Sequence, residues 1–165
     1  MIMTNILRSF VGMMINATKI TDSATPCSGW HINLANKHCY KRFCDRATWD
    51  DAMRTCKSFG GYLVTIGDEE ENNFVGAISH TYGTYTYTWR GARRDPVENE
   101  KFVRHDNKTK WEFTNWRKDI LRPDDYMGRE KCVEMDEGNS GLEPGWNDFP
   151  YWEPLQYLCE REFAM

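Results

Sequence analysis

The sequence predicts an α+β fold, with two helices set among short antiparallel strands and a long irregular loop region, stapled by disulfides. Three observations point there. Two windows, Thr48 to Phe59 and Asp68 to Ile78, carry apolar residues at helical spacing behind capping signals. Short runs such as Trp30, Ile32 and Leu34, or Tyr85, Tyr87 and Trp89, alternate apolar with other residues. Six cysteines include no Cys-x-x-Cys pair and lie at no zinc spacing, so they read as disulfides and imply an oxidising compartment. No stretch repeats, and helices segregated from strands make the class α+β and not α/β.

Taken in order, the stretch bracketed by Cys27 and Cys39 suits a small hairpin closed by a disulfide, and Tyr40 to Phe43 continues as a strand. Thr48-Trp49-Asp50-Asp51 opens the first helix as a capping box. Ala52, Met53, Cys56 and Phe59 then line its buried face until Gly60-Gly61 stop it. The second helix starts at Asp68 with Glu69, Glu70 and Glu71 in its first turn, where carboxylates suit the dipole, and buries Phe74, Val75 and Ile78. That acidic run reads as a helix start and not as a cation site. A strand through Trp89 ends at Gly91, and Arg93 to Thr109 reads as a charged surface loop. Trp111, Phe113 and Trp116 nearly alternate, Asp119 to Arg129 is irregular, and Cys132 to Met135 is a strand. Gly138, Gly141, Pro144 and Gly145 turn the chain into another around Trp146.

A chain of 165 residues with 14% aromatic content suits one globular domain. The net charge of -4 and the lack of a basic stripe argue against nucleic acid as a partner. Arg90, Arg93 and Arg94 form the densest basic patch and read as a solvated face. Residues 1–26 hold no run of about 20 apolar residues, so no membrane span is expected there. Arg8 followed by Phe10 to Ile15 reads either as a short secretory leader cleaved near Ala17 or as a tail. The triplets Asn16-Ala17-Thr18 and Asn107-Lys108-Thr109 satisfy the N-glycosylation rule and fit a secreted glycoprotein.

The chemistry concentrates at Trp146-Asn147-Asp148, where a core aromatic adjoins an amide and a carboxylate, the hard oxygen ligands calcium prefers. The plain alternative is a core Trp beside a polar turn before Pro150. With its neighbours this tripeptide resembles the C-type lectin-like domain family in its long form. Cys132-Val133-Glu134-Met135, Gly145-Trp146-Asn147-Asp148 and Tyr157-Leu158-Cys159-Glu160 stand in the family's order. So do Cys27-Ser28-Gly29-Trp30, Cys39-Tyr40, the Trp49 to Cys56 helix, Gly61 to Ile66, Trp89-Arg90-Gly91 and Thr114-Asn115-Trp116. The resemblance spans Cys27 to Glu162 and sets an expected domain at 27–162 behind an extension at 1–26.

The resemblance implies a calcium ion that holds a sugar through a central-proline motif, a Glu two residues before the third core cysteine, and the Asn-Asp pair. Asp124, Glu130, Asn147 and Asp148 match as metal and ligand-binding residues. Arg122-Pro123-Asp124 departs from the pattern, since Arg122 puts a donor-only cation where the family has an oxygen ligand. Like unit charges about 4 Å apart cost about 4 kcal/mol near a surface, and a divalent ion doubles that. Arg122 therefore either swings to solvent beyond the two extra residues Ile120-Leu121, or replaces the ion and pairs with Glu130 and Asp148. The family's auxiliary calcium site, drawing on Asp125, Asp95 and Glu98, is not expected to fill because Lys131 stands where an acid is usual. The resemblance also implies disulfides Cys27–Cys39 and Cys56–Cys159. Tyr151 stands where the partner of Cys132 belongs, so Cys132 and Cys44 either bridge to each other, the preferred expectation, or stay free or join another chain.

An enzyme is the least supported class, because the four histidines (His31, His38, His80, His105) lie in no nucleophile-base or metalloprotease motif and read as surface or capping residues. Two binding readings remain. One is an extracellular lectin that takes a glycan or glycoprotein, with calcium as cofactor and Tyr151 or Trp152 stacked on the sugar. The other is a calcium-independent domain that binds a protein or other ligand, with Arg90, Arg93, Arg94 and Arg122 facing an acidic partner. Arg122 discriminates between them.

Overall fold

The computed structural model describes residues 29–79, 86–106, 111–136 and 144–163. Both N-glycosylation triplets, Cys27, His80, Tyr85, Gly138 and Gly141 lie outside the described residues, as do the leader or tail at 1–26 and the hairpin's first residues. No helix among the described residues is long and apolar enough to cross a membrane.

The class is α+β, as expected. Among the described residues, eight strands form one sheet, accompanied by two α-helices. In chain order they are β1 (His31–Asn33), β2 (His38–Ala47), α1 (Trp49–Ser58), β3 (Tyr62–Leu63), α2 (Glu69–Ser79), β4 (Tyr87–Arg94), β5 (Phe102–Arg104), β6 (Cys132–Asp136), β7 (Gly145–Phe149) and β8 (Leu155–Glu162). The strand order is β1-β2-β8-β4-β6-β7, with β3 added to β8 and β5 to β4. All pairs are antiparallel except β4 with β8, so the C-terminal strand runs through the middle of the sheet.

The helices begin where their capping residues stand. Thr48 accepts the Asp51 N–H at 3.3 Å and returns its hydroxyl to the Asp51 carboxylate at 2.7 Å, a closed cap on α1. Gly60, at φ 73°, takes the left-handed conformation that ends that helix. Asp68 caps α2 through the Glu71 N–H at 2.8 Å. The core falls into two clusters. One surrounds Tyr40, Val64, Val75, Val133, Met135, Trp146 and Leu158, and the other gathers Trp49, Cys56, Leu63, Trp89, Tyr157 and Cys159.

Strand β4 corrects the expectation that Gly91 ends it, because the strand runs on to Arg94. Any Cβ at Gly91 would meet the Leu63 carbonyl oxygen at 2.2 Å, so the glycine lets two backbones approach and does not break the strand. The stretch read as a surface loop from Arg93 accordingly contains the end of β4 and the whole of β5, paired as Ala92↔Arg104 and Arg94↔Phe102. Arg90 and Arg94, expected on a solvated face, are both buried.

The disulfide Cys56–Cys159 joins α1 to β8 across 103 residues, with the Cα atoms 5.2 Å apart. The other two expected pairings are corrected. Cys39 is a free buried thiol. It lies opposite Ile32 on one side and Arg161 on the other, so no cysteine adjoins it in the sheet. Cys132 is also free, while Cys44 is disulfide-bonded elsewhere. Strand β6 lies three strands from β2, about 14 Å at the usual spacing. A disulfide spans Cα atoms no more than about 7 Å apart, so Cys44 and Cys132 are out of each other's reach.

Candidate functional site

Strands β6 and β7 present the Asn-Asp pair, and the loop from Arg117 to Lys131 folds over their edge. Trp146 is core: it is buried, and its indole N–H donates to Asn72 at 3.0 Å. Beside it the β6–β7 register sets Glu134 opposite Asn147 and Val133 opposite Asp148.

Asp148 is wholly buried, and both its oxygens are occupied by protein donors. Oδ1 accepts the Asp124 N–H at 3.1 Å, while Oδ2 accepts the Asp125 N–H at 2.8 Å and the Arg94 Nη2 at 2.5 Å. Arg94 is in turn fixed by its Nε on the Glu130 carbonyl and its Nη1 on the Asn99 carbonyl, each at 2.9 Å, and lies over the Phe102 ring at 4.6 Å. The loop and the strand edge are thus tied together by this buried guanidinium–carboxylate pair, and at the start of the loop Arg117 pairs with Asp136 of β6.

The remaining expected residues gather around that pair. Asp124, Glu130 and Asp148 each offer an oxygen within 4.8 Å of the others. The Glu130 carboxyl, buried, close to Asp148 and hydrogen-bonded to Asp124, has its pKa pushed up to about 7, although the Tyr126 N–H at 3.2 Å opposes the rise. Arg122 pairs with Asp124, and its Nε is buried without a partner among the described residues. The Arg122–Pro123 peptide is cis. Asn147 turns along the sheet, its amide nitrogen donating to Glu134 Oε1 at 3.0 Å, while its own oxygen has no described partner. Burial pushes the Glu134 carboxyl up to about 8.

As arranged, this donor set does not fit a calcium ion. Calcium needs six to eight oxygens and favours charged carboxylates. Asp148 has spent both oxygens on three donors, a second guanidinium sits on Asp124, and burial first of all raises the Glu130 pKa to about 7. Two arginines supply the positive charge instead. The replacement falls to Arg94 on Asp148 and to Arg122 on Asp124, not to Arg122 on Glu130 and Asp148. Asp125 belongs to the same frame: burial works against its charge, but Lys131 at 2.7 Å, Asn99 and the Glu130 N–H hold its carboxyl below the usual range. Lys131 thus places its ammonium group on Asp125 and Asn99, at 2.7 and 3.0 Å.

Sequence reasoning missed Arg94, Asn99 and Glu134. The signal for Arg94 was the period of two: carried past Gly91, it puts Thr88, Arg90, Ala92 and Arg94 on one inward face. Two further expectations shift. His38 pairs with Glu160, and Glu71, read as part of a helix start, turns its carboxylate inward to the Tyr40 hydroxyl at 2.5 Å and the Gly67 N–H at 2.7 Å. His38, Glu71 and Glu160 form a second cluster with the spacing of metal ligands. Tyr151 and Trp152, foreseen as stacking residues, stand half exposed and edge to face at 5.1 Å.

The sequence profile of the Lectin C-type domain family matches residues 45–161. Versican core protein of Rattus norvegicus is 33% identical over 138 residues, which cover 81% of this chain and 4% of that protein. The chain therefore spans a small part of that relative. Among solved structures, the C-type lectin CEL-I of Cucumaria echinata superposes with a TM-score of 0.70 at 22% identity, over 82% of this chain and 96% of that one. The cow carbohydrate-recognition domain of CD23, solved in the presence of a GlcNAc2Man3 oligosaccharide, superposes with a TM-score of 0.67 at 27% identity, over 82% and 95%. Members of this family are binding modules and not enzymes. With its fold, its Cys56–Cys159 bond and its sequence in agreement, the chain belongs to the C-type lectin domain family.

Proposed function

We propose that this domain is an extracellular carbohydrate-binding module that recognises its glycan without a bound calcium ion. The observation that carries the reading is the Arg94–Asp148 pair, in which a buried guanidinium meets the carboxylate that an ion would need. The loop amides of Asp124 and Asp125 close on the same carboxylate, so the loop is shaped before any ligand arrives. The sugar class is supported by the cow CD23 relative, solved with an oligosaccharide, and by the half-exposed Tyr151–Trp152 pair, since an aromatic face suits the apolar side of a sugar ring. The test is a glycan array run with the full chain in calcium and again in EDTA. The reading expects the same glycans in both, and a signal that vanishes in EDTA contradicts it.

A second reading has its own observation. Leu121, Met127 and Tyr126 are 83%, 69% and 62% exposed on one loop, which suits an apolar protein surface. A protein ligand predicts that Leu121→Ser with Met127→Ser abolishes capture of that partner and leaves glycan binding intact.

A further inference from the structure

A pocket of about 360 Å³ opens between the start of α1, the end of β4 and the start of β6, beside the Arg94–Asp148 pair and not within it. Such a volume is at the small end of those that hold organic ligands. Trp49 and Cys132, both buried, contribute apolar lining, and Tyr151 adds a half-exposed ring. The Trp49 N–H donates to the Tyr151 carbonyl at 2.9 Å, which fixes the segment bearing that ring against the first residue of α1. Tyr151 and Cys132 face the same space where the family resemblance puts a disulfide, so the exchange of one cysteine for a tyrosine leaves an aromatic wall and a free thiol lining one pocket.

The polar groups of this pocket divide sharply. Arg94 and Lys131 are consumed by Asp148 and Asp125, and Asp95 accepts the Val97 and Glu98 N–H groups. Arg93 and Asp50 are the charged lining residues whose side chains make no hydrogen bond or ion pair to the described residues. Arg93 lies opposite Cys132 in the sheet, and Asp50 is the second residue of α1. Both act on the Cys132 thiol, whose pKa burial pushes up while Arg93 opposes the rise and Asp50 adds to it. One donor-only group and one acceptor-only group beside an aromatic ring match a compound that is donor and acceptor at once, namely neighbouring hydroxyls on a ring with an apolar face.

We propose that this pocket binds one neutral pyranose unit of the glycan, its neighbouring hydroxyls donating to Asp50 and accepting from Arg93 while its apolar face lies on Tyr151. The assignment rests on the sugar-binding reading of the domain, but not on calcium independence.

The test is an NMR titration of the isotope-labelled full chain with the methyl glycosides of mannose, galactose and glucose, in EDTA and in calcium. The expected result is saturable shifts at Trp49, Arg93 and Tyr151 with one of them. Arg93→Ala and Asp50→Asn should each weaken binding about tenfold, as befits the loss of a hydrogen bond to a charged group. Tyr151→Phe should bind like the natural chain, and Tyr151→Ala should not bind. Undiminished binding in both Arg93→Ala and Asp50→Asn overturns the pocket and leaves the sugar reading in place. A calcium requirement with Arg93→Ala still weakened does the reverse: it overturns calcium independence and supports the pocket. No shift with any of the three glycosides in either medium overturns the pocket and, if the glycan array is also blank, the sugar reading with it.

Discussion

Arg94 lies against Asp148 with Nη2 at 2.5 Å from Oδ2, and both side chains are buried. The pair also carries the loop, because the Asp124 and Asp125 amides end on the same carboxylate and the Glu130 and Asn99 carbonyls end on the same guanidinium. Removing one half leaves the other charged and out of water, which costs about 3–5 kcal/mol. Arg94→Met should therefore lose stability of that order in urea denaturation, whereas Arg122→Met, at a partly exposed pair, should lose about 1 kcal/mol or less.

The raised carboxyls should make stability fall as pH rises from about 5 to 8, opposed up to about 6.5 by His31 and His105, whose pKa values burial lowers. Glu134 keeps its proton in the folded state up to about 8 and gives it up near 4.5 when unfolded, so its contribution is complete below 4.5 and lost as pH climbs towards 8. Glu71, lifted to about 7 mainly by burial and by Glu160, acts in the same sense, as does Glu130. His38, whose pKa its hydrogen bond to Glu160 raises, adds stability that is complete below 6.5 and lost above its folded value. Asp125, with a lowered pKa, acts only at the acid end, below 3.8. Glu134→Gln keeps an oxygen for Asn147, so thermal melts across this range should show a flatter slope in that variant. An unchanged slope would remove Glu134 from the account.

The Cys56–Cys159 bond closes a loop of 103 residues in sequence. Closing a loop of that length in the unfolded chain contributes about 4–5 kcal/mol, so the Cys56→Ala, Cys159→Ala variant should lose about that much in chemical denaturation.

Cys39 and Cys132 are free and buried. Burial also raises both thiol pKa values, although Arg161 partly opposes this at Cys39, so neither forms a thiolate readily at neutral pH. Alkylation followed by peptide mass analysis should label both only after denaturation. Rapid labelling of Cys132 in the native chain would mean that the pocket lined by Tyr151 is more open than described.

The parts of the fold legible in the sequence are those fixed by local chemistry. Thr48 and Asp51 announce α1 because a cap needs only residues three apart, and Cys56 shows its buried face through helical spacing. Asp124, Glu130 and Asp148 were recognisable as converging oxygens because a family pattern ties their spacing to one place. Arg94 was not, since its partner lies 54 residues away and its inward direction depends on Gly91 staying in the strand. The free Cys39 was hidden for a similar reason: its neighbours in the sheet, Ile32 and Arg161, follow from strand register, and Arg161 comes from a distant part of the chain. The role of Arg122 was half legible. Its charge was evident, but its choice of Asp124 follows from the loop's course.

Calorimetric titration of calcium into the natural chain, with Asp148→Asn beside it, tests the central claim most directly. If Arg94 and Arg122 supply the cation's charge, the two proteins give the same trace, with no sub-millimolar binding that depends on Asp148. Sub-millimolar binding by the natural chain that Asp148→Asn removes would contradict the account, since an ion would then displace Arg94 from the carboxylate.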